Sequence, residues 1–235
     1  MAEAHGQNLL DVRRPGRVAY AEGLRLQDEL VVARQQGEGR DTLVLLEHPR
    51  VLTLGRNSHA ENVLLDEAQL RARGFEVFEV GRGGDVTYHG PGQLVGYPIL
   101  RLDGDERDAH GHLRRIEQVL IDTLADFGIE GFRHPPHTGV WVRDEGVERK
   151  IAAIGVRLSK WVSSHGFALN VNVDLDDFDV IVPCGIRDLG VTSMQRVLGR
   201  DVGLDSVADR VVEHFPRVFG RVLVDGAPTP GKAVV

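Results

Sequence analysis

Leu113, Ile116, Leu120, Leu124 and Phe127 recur at i, i+3, i+7, i+11 and i+14. That spacing predicts an amphipathic helix over residues 109–127, ended by Gly128. The period then changes, and Val140–Val142, Ile151–Leu158 and Gly166–Val173 read as three strands of one antiparallel region. Upstream, Leu9–Arg13 reads as a short first strand and Val18–Gln36 as a helix, on Val18, Ala21, Leu24 and Val31. Thr42–Glu47, Val51–Leu54, Phe75–Val80 and Leu94–Leu100 follow as strands, the last marked by Pro98 as an edge or a bulge. Asp66 and Gln69 form a capping-box pattern for a short helix closed by Gly74. Leu204, Ala208, Val211, Val212 and Phe215 mark a last helix, and residues 226–235 read as a frayed tail. Strands and helices interleave without strict βαβ alternation, and no linker divides them. The expectation is one mixed α/β domain of the α+β class spanning 1–235.

The chain has 235 residues, with 28 Lys+Arg against 35 Asp+Glu for a net charge of −7. This balance argues against bulk nucleic-acid binding. No apolar run reaches the ~18 residues of a membrane span, and the N-terminus lacks a secretory or transit layout, so the cytoplasm is expected. The single cysteine, Cys184, excludes an intrachain disulfide and Cys-rich zinc sites. The histidine pairs His110/His112 and His134/His137 lack a carboxylate or thiol at a ligand spacing, and no metal is expected.

Four segments carry candidate chemistry. Gly81 to Gln93 holds five glycines in its first twelve residues, together with Arg82, Thr87 and His89. It matches neither a dinucleotide fingerprint nor a phosphate loop, and reads as a backbone cradle for a ligand or as a pair of tight turns. Cys184 sits between Pro183 and Gly185, where the thiol is a nucleophile if a cation or base lowers its pKa, or a structural residue if not. Lys150, one of only three lysines, opens a strand of small apolar residues; a solvated strand end is the bland reading. In His165–Asn170, Gly166 and Ala168 flank Phe167 and leave room for a slim apolar ligand or for a close-packed neighbour strand.

Together these segments resemble the octanoyltransferase family, the lipoyl(octanoyl) transferases. The matching pieces are Glu47-His48-Pro49, Arg82-Gly83-Gly84 through Gln93, Thr138-Gly139-Val140-Trp141, Lys150 through Gly155, His165 through Asn170 and Pro183-Cys184-Gly185. They follow the family's order over residues 40–195. The resemblance implies a fold similar to lipoate- and biotin-protein ligases, with a larger and a smaller sheet. It also implies the first step of endogenous protein lipoylation, without a cofactor. An octanoyl group would pass from octanoyl-acyl carrier protein to a lysine of lipoyl domains, those of 2-oxoacid dehydrogenases and the glycine cleavage H protein.

Carried over by position, Cys184 would be the acyl-thioester nucleophile and Lys150 its partner. The acyl and product site would be lined by Arg82, Gly83, Gly84, Asp85, Val86, Thr87, Tyr88 and His89, by Ala153, Ile154 and Gly155, and by Gly166, Phe167 and Ala168. Leu52 stands where many relatives have tyrosine, a local difference in packing or pocket contact. Because acyl carrier proteins and lipoyl domains are acidic, Arg82, Arg143, Arg149, Arg157 and Lys160 are expected to form a basic rim. Two alternatives remain open: an ATP-dependent lipoate or biotin ligase on the same fold, and a carrier-binding module with an incidental thiol.

Overall fold

A computed structural model describes residues 8–182 and 190–224 of the chain. Cys184 and its two neighbours, and the tail 226–235, lie outside the described residues. The larger sheet has eight strands in the order β11-β1-β2-β6-β10-β9-β8-β7. They are β1 (Leu9–Arg17), β2 (Asp41–Glu47), β6 (Gln93–Ile99), β7 (Phe132–His134), β8 (His137–Asp144), β9 (Val147–Ser159), β10 (Val162–Asn170) and β11 (Val222–Leu223). The smaller sheet, β4-β3-β5, comprises β3 (Val51–Leu54), β4 (Glu76–Glu79) and β5 (Val86–His89). This is the mixed α/β class with two unequal sheets. The β8-β9-β10 meander is antiparallel, with Trp141 opposite Lys150 and Gly166 opposite Gly155.

Alternation along β2 divides the core into two layers. Leu43 and Leu45 face a large cluster beneath α3 (Ala109–Asp126) and α5 (Leu204–Phe219), whereas Val44 and Leu46 face a second layer beneath α1 (Tyr20–Gln35). This period-2 division is what a strand buried on both faces requires. A third cluster, including Leu52 and Tyr88, fills the smaller sheet. The Asp66–Gln69 capping box opens α2 (Glu67–Ala72) in the expected place, with the Gln69 N–H bonded to the Asp66 carboxylate at 2.8 Å. Among the described residues, no helix is long and apolar enough to cross a membrane.

Three expectations need correction. The helix α1 begins at Tyr20 rather than Val18, and its buried stripe is Tyr20, Gly23, Gln27 and Arg34, while Ala21 is exposed. Each buried polar member has a tertiary partner: Gln27 accepts from the His165 N–H at 2.7 Å, and Arg34 pairs with the buried Asp41 at 3.1 Å. A hydropathy pattern cannot register a stripe that is buried because it is hydrogen-bonded. Pro98 lies not at an edge but in β6, between β2 and β10. The β6–β10 ladder stops at Gly96, and beyond it the Ser163 hydroxyl donates to the Pro98 carbonyl at 2.7 Å and accepts from the Leu100 N–H at 2.9 Å. The third is an omission, the five-residue α4 (Met194–Leu198), which is capped by Ser193 and too short for a periodic signal.

Where the ladder stops, β6 and β10 pass unusually close. A methyl group on Gly96 would overlap the Phe167 ring, and one on Gly166 would overlap the Gly96 carbonyl and Pro98. Gly96→Ala must therefore displace Phe167 or part the strands. Overpacking of this kind costs ~1–3 kcal/mol, to be measured as a lower urea midpoint; an unchanged midpoint would show that the ring has room to move.

Candidate active site

The two sheets meet along a cavity of about 700 Å³. One wall is the glycine turn leading into β5, and the opposite wall is the middle of β9 and β10. Arg82, Gly83, Gly84, Asp85, Val86, Thr87 and His89 line it, together with Ala153, Ile154 and Gly155 and with Gly166, Phe167 and Ala168. Lys150 lies in the same lining. Thus three segments far apart in sequence, each singled out above, converge on one space. Tyr88 does not line it: its ring packs against Phe75 and Phe178, and its hydroxyl bonds Asp177 at 2.5 Å.

The walls join where side chains are absent. The Gly83 N–H donates to the Val156 carbonyl at 2.9 Å, and a methyl on Gly155 would sit 2.9 Å from the Gly83 carbonyl. Beside this joint, the Arg82 guanidinium is buried against Thr53 of β3. Its Nη2 donates to the Thr53 carbonyl and hydroxyl, each at 2.7 Å, and its Nη1 to the Gly83 carbonyl at 3.0 Å. Arg82 is therefore a brace within the cavity wall rather than part of an exposed rim. Arg149 and Arg143 are also engaged, with Asp144 at 3.5 Å and Glu148 at 3.7 Å. Arg157 and Lys160 are exposed.

Lys150 is almost buried at 7% exposure, with its Nζ 5.0 Å from the centre of the Trp141 ring. Its position depends on Gly139 of β8, which has φ +126° and whose absent Cβ would stand 3.5 Å from Lys150 Cε and 2.6 Å from the Ala152 carbonyl. A side chain there would collide with the Ala152 carbonyl and so disturb the backbone that carries Lys150. The Lys150 backbone also carries the ends of the segment that bounds the undescribed stretch. Its N–H donates to the Gly190 carbonyl at 3.0 Å, and its carbonyl accepts from the Thr192 N–H at 3.0 Å. On the other side, the Val182 N–H donates to the carbonyl of Asn62, another lining residue, at 2.8 Å. The chain thus enters residues 183–189 from one cavity wall and re-emerges against the backbone of Lys150.

The end of the cavity beneath α1 was not read from the sequence. Tyr20 and Tyr97 line it beside His89, with the Tyr20 and His89 rings stacked at 6.0 Å. Behind them, His48 Nδ1 meets the Val18 carbonyl at 2.8 Å and His48 Nε2 meets the Tyr97 hydroxyl at 2.7 Å. A carbonyl only accepts, so Nδ1 carries the hydrogen and Nε2 accepts from Tyr97. The Gln93 amide donates to the Tyr88 carbonyl and to Asn170, so its oxygen faces His89 Nδ1 at 2.8 Å; the His89 hydrogen is on Nδ1. Burial pushes His48 down to about 4, His89 to about 3 and His165 to about 4, and raises Tyr20 to about 12. Burial thus keeps His89 and His165, which line the cavity, and His48 behind them uncharged at pH 7. Among the described residues, no group of three His, Cys, Asp or Glu stands close enough to hold a metal ion.

Comparison with known proteins agrees with this geometry. Residues 19–216 match the family model described as the lipoyl protein ligase A/B catalytic domain. The chain is 54% identical over 216 residues to an octanoyltransferase of Solibacter usitatus, covering 92% of this chain and 96% of that one. It is 52% identical over 229 residues to an octanoyltransferase of Myxococcus xanthus, covering 97% of this chain and 64% of that longer one. The fold is similar to that of lipoate-protein ligase A bound with ATP, with a TM-score of 0.70 and 17% identity over 92% of this chain and 90% of that one. It is also similar to biotin protein ligase from Aquifex aeolicus in complex with biotin and ATP, with a TM-score of 0.54 and 15% identity over 90% and 70%.

The neutral histidines set an acid limit on stability. Their folded pKa values lie below the unfolded value of ~6.5, so the unfolded chain binds more protons as the pH falls from 6.5 toward 4. Stability is full above the unfolded pKa and is lost through that window, by about 1–2 kcal/mol per buried ring between pH 7 and 5. Urea unfolding at the two pH values measures the loss. His48→Gln and His89→Gln should each flatten the slope; an unchanged slope in both would place the acid sensitivity elsewhere.

Proposed function

Because the chain belongs to the lipoyl protein ligase A/B catalytic-domain family and, within it, to the octanoyltransferases, which are acyltransferases, we propose that it moves an octanoyl group from octanoyl-acyl carrier protein to a lysine of lipoyl domains through a thioester on Cys184. The observation that carries this reading is that Val182 bonds Asn62 and Gly190 bonds Lys150, both partners lining the same cavity. We place the reaction in one catalytic domain.

In the first half-reaction the Cys184 thiolate attacks the donor's thioester carbonyl. A new C–S bond forms, the old one breaks, and the carrier's thiolate departs. One thioester replaces another, so the step needs an activated nucleophile but little driving force. The Lys150 ammonium favours the thiolate by its charge. In the second half-reaction the acceptor's lysine amine attacks the Cys184 thioester, and the amide forms as the cysteine sulfur leaves. The proton released by the nitrogen passes through Lys150 toward the sulfur or solvent. On this reading backbone N–H groups near Cys184 or of the glycine turn stabilise the tetrahedral oxyanion.

The cavity supports the acyl group's part in this reading. Seven methylene-sized carbons beyond the carbonyl stabilise binding by about 5 kcal/mol at ~0.8 kcal/mol each. Phe167, Ala168, Ala153, Ile154 and Leu113 supply apolar surface. The neutral rings of Tyr20, Tyr97 and His89 add wall without a charge that the tail would have to desolvate.

Intact-protein mass spectrometry after mixing with octanoyl-acyl carrier protein, without ATP, tests the reading. The expected result is one octanoyl adduct on the wild type and none on Cys184→Ala, chased off by a lipoyl domain. Lys150→Met should slow adduct formation by ~10²–10⁴-fold, the usual worth of a positioned acid–base group. Transfer that requires ATP and free octanoate, with no adduct, would make the protein a ligase instead.

A further inference from the structure

The cavity is polar at the end away from the tyrosines. Asn57, His59, Asn62 and Asp85 cluster there, with Asp85 held by Asn62 Nδ2 at 2.5 Å and by the N–H groups of His59 and Val86 at 3.3 and 2.7 Å. Asp85 is the only carboxylate among the described lining residues, and these bonds hold it in place. An acyl tail has no use for this end of the cavity.

Two exposed arginines stand beside the glycine turn at its border. The Arg56 N–H donates to the Arg82 carbonyl at 3.1 Å, which fixes Arg56 on one side of the turn immediately before Asn57. Arg157 approaches from the other side: its Nη1 would lie 3.1 Å from a methyl on Gly81. Neither guanidinium pairs with a carboxylate among the described residues. The charge of Arg157 reaches the cavity, since it is one of the groups holding His165 down, after burial and Arg82. Both arginines therefore stand beside the glycine turn without a carboxylate partner among the described residues.

This inference rests on the donor proposed above. A carrier protein presents its acyl group on a phosphopantetheine arm, which sets one phosphodiester the length of five or six extended residues, ~18–20 Å, from the thioester sulfur. Lys150 and Arg157 are seven residues apart on β9, ~23 Å at ~3.3 Å per residue, and both side chains are long enough to close the difference. We infer that Arg56 and Arg157 seat the phosphate of the donor's pantetheine arm, while the polar end beside Asn57 and Asn62 receives the arm's amides. Two guanidiniums on one phosphate give charge-assisted bonds that a neutral alcohol cannot replace.

The test compares octanoyl-pantetheine, octanoyl-4′-phosphopantetheine and octanoyl-acyl carrier protein as donors, following the rate of octanoyl adduct formation. The wild type is expected to favour the phosphorylated small donor over the unphosphorylated one by about tenfold or more in kcat/KM, mainly through KM. In Arg56→Gln/Arg157→Gln that ratio should fall to near one, with the thermal midpoint confirming the fold. A wild type that does not distinguish the two small donors overturns the inference. So does a double variant that keeps the ratio, or one that loses rate with the carrier-bound donor alone, which would assign the arginines to the carrier's acidic surface. If no donor gives an adduct, it is the thioester mechanism that fails, a result distinct from equal use of both small donors.

Discussion

The site depends on a backbone joint between two sheets that cannot accommodate a side chain. Gly83 bonds to the Val156 carbonyl while Gly155 leaves space for the Gly83 carbonyl, and Gly55 leaves space for both the Gly84 carbonyl and the Arg82 guanidinium. A Cβ on Gly155 would press the Gly83 carbonyl away from β9, and one on Gly55 would collide with the Gly84 carbonyl behind it. Arg82 then fixes the joint by filling its charged donors with the Thr53 carbonyl and hydroxyl and the Gly83 carbonyl. A buried arginine is costly unless its hydrogen bonds are met, and here the groups that meet them are the parts that must be held together. The glycine block is a structural joint first, and the ligand cradle follows from it.

A second constraint is neutrality. His48, His89 and His165 are all buried near the reacting space, and burial keeps each ring uncharged at neutral pH. For an octanoyltransferase, a charged ring beside the apolar acyl tail would cost desolvation. The same arrangement leaves Lys150 in the lining beside neutral rings, with Arg82 turned into the wall. Stability in acid is the corresponding cost, because rings buried as neutral must be protonated when the chain unfolds below their ordinary pKa.

Much of this was legible in the sequence, and the exceptions have physical causes. The meander from β8 to β10 and the helices α3 and α5 announce themselves because each shows water one face and the core another. The segments around Arg82, Lys150 and Phe167 stand out through glycine density, lysine scarcity and small residues flanking an aromatic. What hides is whatever is buried for a reason other than hydrophobicity: the polar stripe of α1, the pairing of His48 with Tyr97, and the central placement of Pro98, where Ser163 takes over the lost ladder. Tyr88 was grouped with the cradle because it lies between Thr87 and His89, but strand alternation sends it to the opposite face, into the core beside Leu52. Arg56 carries no local signal at all; only the turn that binds its backbone places it by the cavity.

The likeness to ligases of low sequence identity then acquires a physical meaning. A ligase must generate its activated acyl group from a carboxylic acid, and the free energy for that step comes from a nucleoside triphosphate. A donor that already carries a thioester brings its activation with it, so the same cavity needs only a nucleophile and a proton carrier. The difference between ligase and transferase need not be sought in the sheets, which serve both. It lies in where the acyl group is activated, before it reaches the cavity or within it, and so in which donor chemistry the cavity's polar and charged residues have to meet.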